Sequence, residues 1–176
     1  MKKLLPLILL GIGVVLLVVV FLVFKNPGKS GSLATDESNV PEIPAAERPM
    51  VSLIPTKDGH WLKLKIEKIK VAGAATLDYE LLYSLPDGRQ QGVPGTVKLD
   101  GSDIVRDLLL GSESSGKFRY DEGVIGGTMT IRFRNGNAKL IGKLVTTFTL
   151  SSPKKGVFEV TMDTLTDGTK TFTSSK

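Results

Sequence analysis

The chain has 176 residues, of which 41% are hydrophobic, and a formal net charge of +5 at pH 7, which allows one ordinary domain with appendages. It contains no cysteine, so disulfides, thiolate metal sites, a cysteine nucleophile and a lipidated cysteine are all excluded. Only 6% of the residues are aromatic, whereas nucleic-acid binders combine clustered basic charge with aromatic stacking residues. We therefore expect no nucleic-acid binding.

An uncharged apolar run covers residues 4–24, between Lys3 and Lys25. A helix over this run would be about 31 Å long at ~1.5 Å per residue, which matches a bilayer hydrocarbon core of about 30 Å. The alternative is a cleaved secretory signal, but its apolar region is usually only about 7–15 residues. The run therefore predicts one uncleaved transmembrane helix. Lys2, Lys3 and the amino terminus outnumber Lys25 and Lys29, which favours residues 1–3 in the cytoplasm and the rest outside the cell membrane.

Residues 25–49 are rich in proline, glycine, serine and charged residues and show no apolar periodicity. This composition is typical of a flexible linker. We therefore predict a linker over 25–49 and a single domain over 50–176.

From residue 50 onward, short runs alternate between apolar and polar positions at the spacing that is typical of β-sandwiches. The apolar positions that share a face include Leu62, Leu64 and Ile66, then Leu77, Tyr79, Leu81 and Tyr83, then Met129, Ile131 and Phe133, and finally Phe158, Val160 and Met162. These runs predict an all-β domain of eight or nine strands, packed as two antiparallel sheets face to face.

Two positions predict local features of the strands. The apolar parity changes at Glu67 and Lys68, which indicates a β-bulge or a strand that bends into the other sheet. Asn135-Gly136 is the sequence signal of a two-residue hairpin turn.

The stretch GSESSGKF at 111–118 resembles the start of a phosphate-binding loop. Such a loop precedes a helix, and a serine or threonine follows its lysine. Here Phe118 follows Lys117, and the next residues are rich in glycine and β-branched side chains, so we expect no nucleotide binding. The stretch predicts an exposed loop between strands, from which Glu113 and Lys117 could contact a partner. Phe118 begins an alternation that Tyr120 continues, and if Phe118 faces the core, its truncation would cost about 3–5 kcal/mol.

The sequence offers little for catalysis or metal binding. His60 is the only histidine, no Gly-x-Ser-x-Gly motif occurs, and His60 is expected at the surface beside a strand. The acidic groups at 100–103 and 121–122 lack the spacing of an EF-hand loop and are ordinary turn residues. We expect no enzymatic activity, no cofactor and no metal.

Four basic residues are predicted on outward strand faces: Lys63, Lys65, Arg132 and Arg134. If their strands are neighbours, these residues would form one basic stripe that attracts anionic envelope polymers or lipid headgroups. The alternative is an ordinary solvated sheet face.

Trp61, the run Tyr79-Glu-Leu-Leu-Tyr83 and Phe118-Arg-Tyr120 resemble the pattern of fibronectin type III and related immunoglobulin-like sandwiches. That resemblance implies a fold and no transferable site. Over nearly the full chain, including RPMVSL, QGVPGTVKL and LLLGSESSGKFRYDEGV, the sequence also resembles uncharacterised bacterial proteins with one N-terminal anchor and one β-domain. That second resemblance implies a topology.

Together these features predict a monomeric, single-pass membrane protein whose β-sandwich binds or scaffolds an envelope protein or glycan outside the cytoplasmic membrane. The alternative is a carbohydrate- or polyanion-binding module of the cell envelope. An envelope enzyme is a third class, and the absence of a clustered catalytic motif in the sequence argues against it.

Overall fold

The computed structural model describes Val40 and residues 43–174. The predicted cytoplasmic head 1–3, the predicted transmembrane helix 4–24 and most of the predicted linker lie outside these residues. Within the described part, no helix is long and apolar enough to cross a bilayer.

The described residues form strands connected by turns, after one short 3₁₀ turn at Ala45–Glu47. The eleven strands in this part of the chain are β1 (Met50–Pro55), β2 (Trp61–Glu67), β3 (Thr76–Ser84), β4 (Gln90–Lys98), β5 (Ile104–Leu109), β6 (Gly111–Ser114), β7 (Lys117–Tyr120), β8 (Gly126–Arg134), β9 (Leu140–Lys154), β10 (Val157–Asp163) and β11 (Thr169–Thr173). The predicted all-β class is therefore confirmed, with more strands than the alternation of the sequence indicated.

The strands form three antiparallel sheets. The first has the order β1-β2-β5, the second has the order β11-β10-β9-β8-β3-β4, and the third is the hairpin β6-β7. The first two sheets contribute their apolar faces to one core cluster. Leu62, Leu64 and Ile66 of β2 are fully buried in it, as are Met129 and Phe133 of β8, because every second side chain of a strand points to the same face. The inward residues predicted from the alternation are thus confirmed for both strands.

The change of apolar parity at residues 67 and 68 marks the end of β2. Lys68 has a φ of 57°, and its N–H donates to the Asp103 carboxylate at 3.2 Å. The next strand, β3, belongs to the six-stranded sheet. The chain therefore changes sheet after a left-handed residue that ends the strand, without a bulge or a continuous bend.

The hairpin between β8 and β9 is longer than the predicted two-residue turn. The Asn135 N–H donates to the Lys139 carbonyl at 3.0 Å, which closes a loop over 135–139. The Asn135 side-chain oxygen accepts the N–H groups of Asn137 and Lys139, both at 3.0 Å. Ala138 takes the positive φ of 60°. The asparagine thus caps a wider loop through its side chain.

The packed part of the chain begins upstream of the predicted boundary at residue 50. The Ile43 side chain is only 3% exposed and belongs to the core cluster. The Arg48 Nε donates to the Ile43 carbonyl at 3.0 Å, which orders the segment between these two residues. A short part of the predicted linker is therefore part of the folded domain.

Candidate functional site

The phosphate-loop-like stretch forms the β6-β7 hairpin. Ser115 and Gly116 make the turn with φ values of 50° and 76°. The Glu113 carboxylate accepts the Gly116 N–H at 2.8 Å. Strand β7 follows the Gly116 turn directly, and no helix follows Lys117, so the backbone geometry of a phosphate loop is absent from this segment. The stretch is exposed as predicted, but it is a strand pair and not a loop.

Phe118 does not face the core. The large loss of stability predicted for its truncation, which required a core position, is therefore not expected. Its side chain is 49% exposed and that of Tyr120 is 38% exposed. The physical reason is that, among the strands that the structure describes, β7 pairs only with β6, so neither ring is held against the core cluster by a larger sheet.

Four rings pack together at this hairpin, and we call them the aromatic cluster: His60, Trp61, Phe118 and Tyr120. His60 stacks on Tyr120 with centroids 3.9 Å apart and planes 5° from parallel. Phe118 lies parallel to Tyr120 within 4°, at 6.1 Å. Trp61 meets Phe118 edge-on at 5.8 Å. Pairs of this geometry stabilise by about 0.5–1.5 kcal/mol beyond the area they bury. The cluster therefore joins the start of β2 to the hairpin.

The base of the hairpin is held to the domain by the backbone and by one buried tyrosine. The Leu110 N–H donates to the His60 carbonyl, and the Asp121 N–H donates to the Leu110 carbonyl, both at 2.9 Å. The Tyr83 hydroxyl donates to the Asp121 carboxylate at 2.8 Å. Burial raises the pKa of Tyr83 above its ordinary value, and the bond to Asp121 raises it further. Tyr83 therefore stays a neutral donor and fixes the Asp121 side chain.

Gly111 allows the two strands of the hairpin to approach. Its φ is 152°, and a Cβ on it would lie 2.1 Å from the Arg119 carbonyl oxygen. No other residue type fits this position without a backbone shift. The glycine that suggested a phosphate loop is thus explained by strand pairing.

His60 is placed by the turn before β2. The Asp58 carboxylate accepts the Thr56 hydroxyl at 2.5 Å and the His60 N–H at 3.1 Å. The His60 Nδ1 lies 3.4 Å from the other Asp58 oxygen. The Thr56 hydroxyl and then the His60 N–H lower the pKa of Asp58 below its ordinary value. Asp58 is therefore an ionised group that holds the imidazole against Tyr120, at the strand edge where the sequence predicted it.

A cavity of about 490 Å³ lies beside the aromatic cluster and is bounded in part by His60. Its polar lining residues include Asp58, Asp121 and Glu122 with Ser151 and Ser152, and among the residues that the structure describes no lysine or arginine lines it. Its apolar lining comprises Val124, Ile125, Leu150 and Phe158. Ligand pockets span about 300–1,000 Å³, so this cavity has the size of a small-molecule or single-sugar site.

Gly59 lets the backbone of the turn before β2 pack closely on the Phe158 ring. Its φ is 72°, and a Cβ on it would lie 2.4 Å from the Phe158 ring. The backbone of the His60 turn therefore lies directly on the Phe158 ring, and both residues line the cavity.

The structure does not bring the four predicted basic residues together. Lys63 and Lys65 lie on β2 of the three-stranded sheet, and Arg132 and Arg134 lie on β8 of the six-stranded sheet. The two pairs of basic residues thus lie on strands that are not neighbours, and they do not form the one basic stripe that the sequence suggested.

Three of these four residues are ion-paired within their own sheets. Lys63 pairs with Asp107 at 2.6 Å, and Arg134 pairs with Asp78 at 2.6 Å. Arg132 pairs with Glu80 at 3.0 Å.

The acidic residues that the sequence assigned to turns now divide into two sets. Asp121 and Glu122 line the cavity, whereas Asp100 accepts the N–H and the hydroxyl of Ser102 in a turn. Among residues 43–174, no group of three or more His, Cys, Asp or Glu side chains is arranged to hold a metal ion.

The aromatic cluster was not predicted as a unit. Trp61 and the run Phe118-Arg-Tyr120 were noted as a resemblance to a sandwich fold, and His60 was predicted as an isolated surface residue. Their proximity depends on the backbone contact between His60 and Leu110, which no sequence pattern indicates.

No protein-family model, curated protein or solved structure matches the chain.

Proposed function

We propose that the chain is a membrane-anchored β-sandwich that displays a binding site in the bacterial cell envelope, outside the cytoplasmic membrane. The site is the cavity together with the aromatic cluster. The anchor rests on the apolar run at 4–24. The binding site rests on one observation: His60, which lines the cavity, stacks on Tyr120, and both Tyr120 and Phe118 are partly exposed. Exposed apolar rings beside a concave site mark interaction surfaces in soluble domains.

The order of the strands supports an immunoglobulin-like sandwich. In that fold, strands A, B and E share one sheet, and strands C, F and G share the other, which some members extend with C′. Here β1, β2 and β5 correspond to A, B and E, while β4, β3, β8 and β9 correspond to C′, C, F and G. Strands β10 and β11 then extend the second sheet, and the β6-β7 hairpin lies between E and F.

Binding is favoured over catalysis by the surroundings of His60. Its imidazole contacts Asp58 and stacks on Tyr120. Within the described part of the chain, no serine or threonine hydroxyl is hydrogen-bonded to that imidazole, so a nucleophile–base pair is not assembled there. A polyanion is disfavoured at this cavity because its charged lining residues are carboxylates.

A photo-crosslinking amino acid at position 118, in the full chain in intact cells, tests the site. We expect it to capture an envelope protein or glycan. The matched control is position 145, because Val145 is 51% exposed and lies on β9, away from the cavity. Equal capture at both positions would show that the cavity is not the binding site.

The orientation has a separate test. Protease added to spheroplasts should remove the β-domain. Digestion only after lysis would place the domain in the cytoplasm and overturn the envelope assignment.

A further inference from the structure

We infer that the aromatic cluster and the adjacent cavity form a cleft for neutral pyranose rings of a glycan chain. This inference rests on the proposed function and assigns the chemical class of its ligand. It is carried by three observations: the partly exposed aromatic side chains, the acidic and hydroxyl residues that line the cavity, and the contacts that hold these residues in place.

The exposed rings provide an apolar surface for a sugar. Phe118 and Tyr120 lie parallel within 4° and keep 49% and 38% of their surface exposed. An aromatic face is electron-rich, and the C–H groups on one face of a pyranose ring carry slight positive charge. A sugar ring can therefore cover Phe118 with its apolar face, while its equatorial hydroxyls project sideways from the edge of the sugar ring.

The cavity offers acceptors for those hydroxyls. Asp58, Asp121, Glu122 and Ser151, whose side chains carry acceptor oxygens, are among its lining residues. An ionised carboxylate accepts several hydrogen bonds, and hydrogen bonds to a charged acceptor are stronger than neutral ones. Polyol hydroxyls are donors that suit this lining. The same charges repel phosphate, sulfate and uronate groups, which selects neutral sugars over polyanions and nucleic acid.

The acceptors and rings are held in place before any ligand binds. Tyr83 fixes the Asp121 carboxylate, Thr56 fixes the Asp58 carboxylate, and His60 supports one face of Tyr120. Side chains that are already ordered lose less conformational entropy on binding. This matters for sugars, because each contact to a sugar replaces a contact to water and leaves a small net gain.

The cationic groups of the hairpin are placed apart from the rings. Arg119 and Lys117 alternate with Phe118 and Tyr120 along β7, and successive side chains of a strand point to opposite faces. The face with the rings is therefore apolar and the opposite face is basic. A sugar on the rings would not contact either cation.

Trp61 gives a direct test, because it is the only tryptophan in the chain and it contacts Phe118. The full chain is purified in a detergent without a sugar headgroup and titrated with neutral tetrasaccharides built from β-linked glucose, N-acetylglucosamine or mannose. Tryptophan emission is recorded at each concentration. A sulfated tetrasaccharide serves as the polyanion probe.

We expect at least one neutral tetrasaccharide to change the emission of Trp61 in a saturable way, and the sulfated probe to have no effect. Phe118→Ala and Tyr120→Ala should each weaken binding by about tenfold or more, the effect expected of a residue that dominates a binding site. Val145→Ala is the matched control and should bind as the unmodified chain does. Isothermal titration calorimetry of the same proteins checks affinities independently of any change in Trp61 itself.

Three results would overturn the inference: no binding of any neutral tetrasaccharide, unchanged affinity in both aromatic variants, or preferential binding of the sulfated probe. Crosslinking at position 118 to a protein, together with absent saccharide binding, would reject the glycan and leave the binding module intact. Absence of both crosslinking and saccharide binding would reject both proposals.

Discussion

Strands β7 and β8 both alternate large apolar residues with polar or charged ones, and their apolar side chains lie in opposite environments. Met129, Ile131 and Phe133 of β8 are at most 1% exposed, whereas Phe118 and Tyr120 of β7 are 49% and 38% exposed. The difference lies in the strand partners. β8 is hydrogen-bonded between β9 and β3 in the six-stranded sheet, whereas β6 is the single partner of β7 within the described part of the chain.

The strand character of a segment and the burial of its apolar face are two separate properties. Alternation establishes that a segment is a strand with one apolar face. Whether a second layer covers that face depends on which other segments pair with the strand. An aromatic ring that stays exposed forgoes a burial free energy of about 25 cal/mol for each Å² of apolar surface. An exposed aromatic strand is therefore a candidate binding surface.

The largest expected effect is on the buried side of this comparison. Phe133→Ala removes a ring that is fully buried in the core cluster, and we expect it to lower the free energy of unfolding by about 3–5 kcal/mol. Urea unfolding of a fragment covering 40–176, monitored through the fluorescence emission of Trp61, measures this loss. A loss below about 1 kcal/mol would mean that the β8 ring is not part of a packed core.

The inward faces were predictable because they depend on local alternation alone. Leu62, Leu64 and Ile66 illustrate this, since each is fully buried as expected. The wide loop at 135–139 was not predictable, because the side-chain oxygen of Asn135 competes with the two-residue turn for the same backbone N–H groups. The candidate site was not predictable either. It joins His60 to Tyr120 across sixty residues, through a backbone contact that only the folded chain contains.

The next effect concerns the segment before β1, which packs on the same core as β8. A fragment that starts at residue 49 lacks Ile43, whose side chain is 3% exposed. Burial of one aliphatic side chain contributes about 1.5–3 kcal/mol, so we expect the fragment 49–176 to be less stable than 40–176 by that amount. Ile43→Ala in the longer fragment is the matched variant and should reproduce most of the loss in urea unfolding. Equal stability of both fragments would show that residues 43–48 do not contribute to the core.

The smallest effects on stability are expected on β7, where neighbouring residues face opposite ways. Lys117 is exposed on the face opposite Phe118, so Lys117→Ala should change the free energy of unfolding by no more than about 0.5 kcal/mol. Phe118→Ala loses its contacts with Trp61 and Tyr120 and should cost about 1 kcal/mol, far less than Phe133→Ala. Urea unfolding of the two variants measures both changes.

Stability does not distinguish a nucleotide site from an aromatic binding site at the hairpin. Ligand binding by Lys117→Ala and Phe118→Ala does. A phosphate-loop lysine contacts the β- and γ-phosphates directly, and its loss abolishes nucleotide binding. We expect calorimetric titration with magnesium ATP or GTP to show no binding even by the unmodified chain, and Lys117→Ala to bind saccharide normally. Micromolar nucleotide affinity that is lost in Lys117→Ala would assign the hairpin to phosphate. Loss of saccharide binding in Phe118→Ala, with a folded domain and with Lys117→Ala unaffected, would assign the function of the hairpin to the uncovered rings of β7.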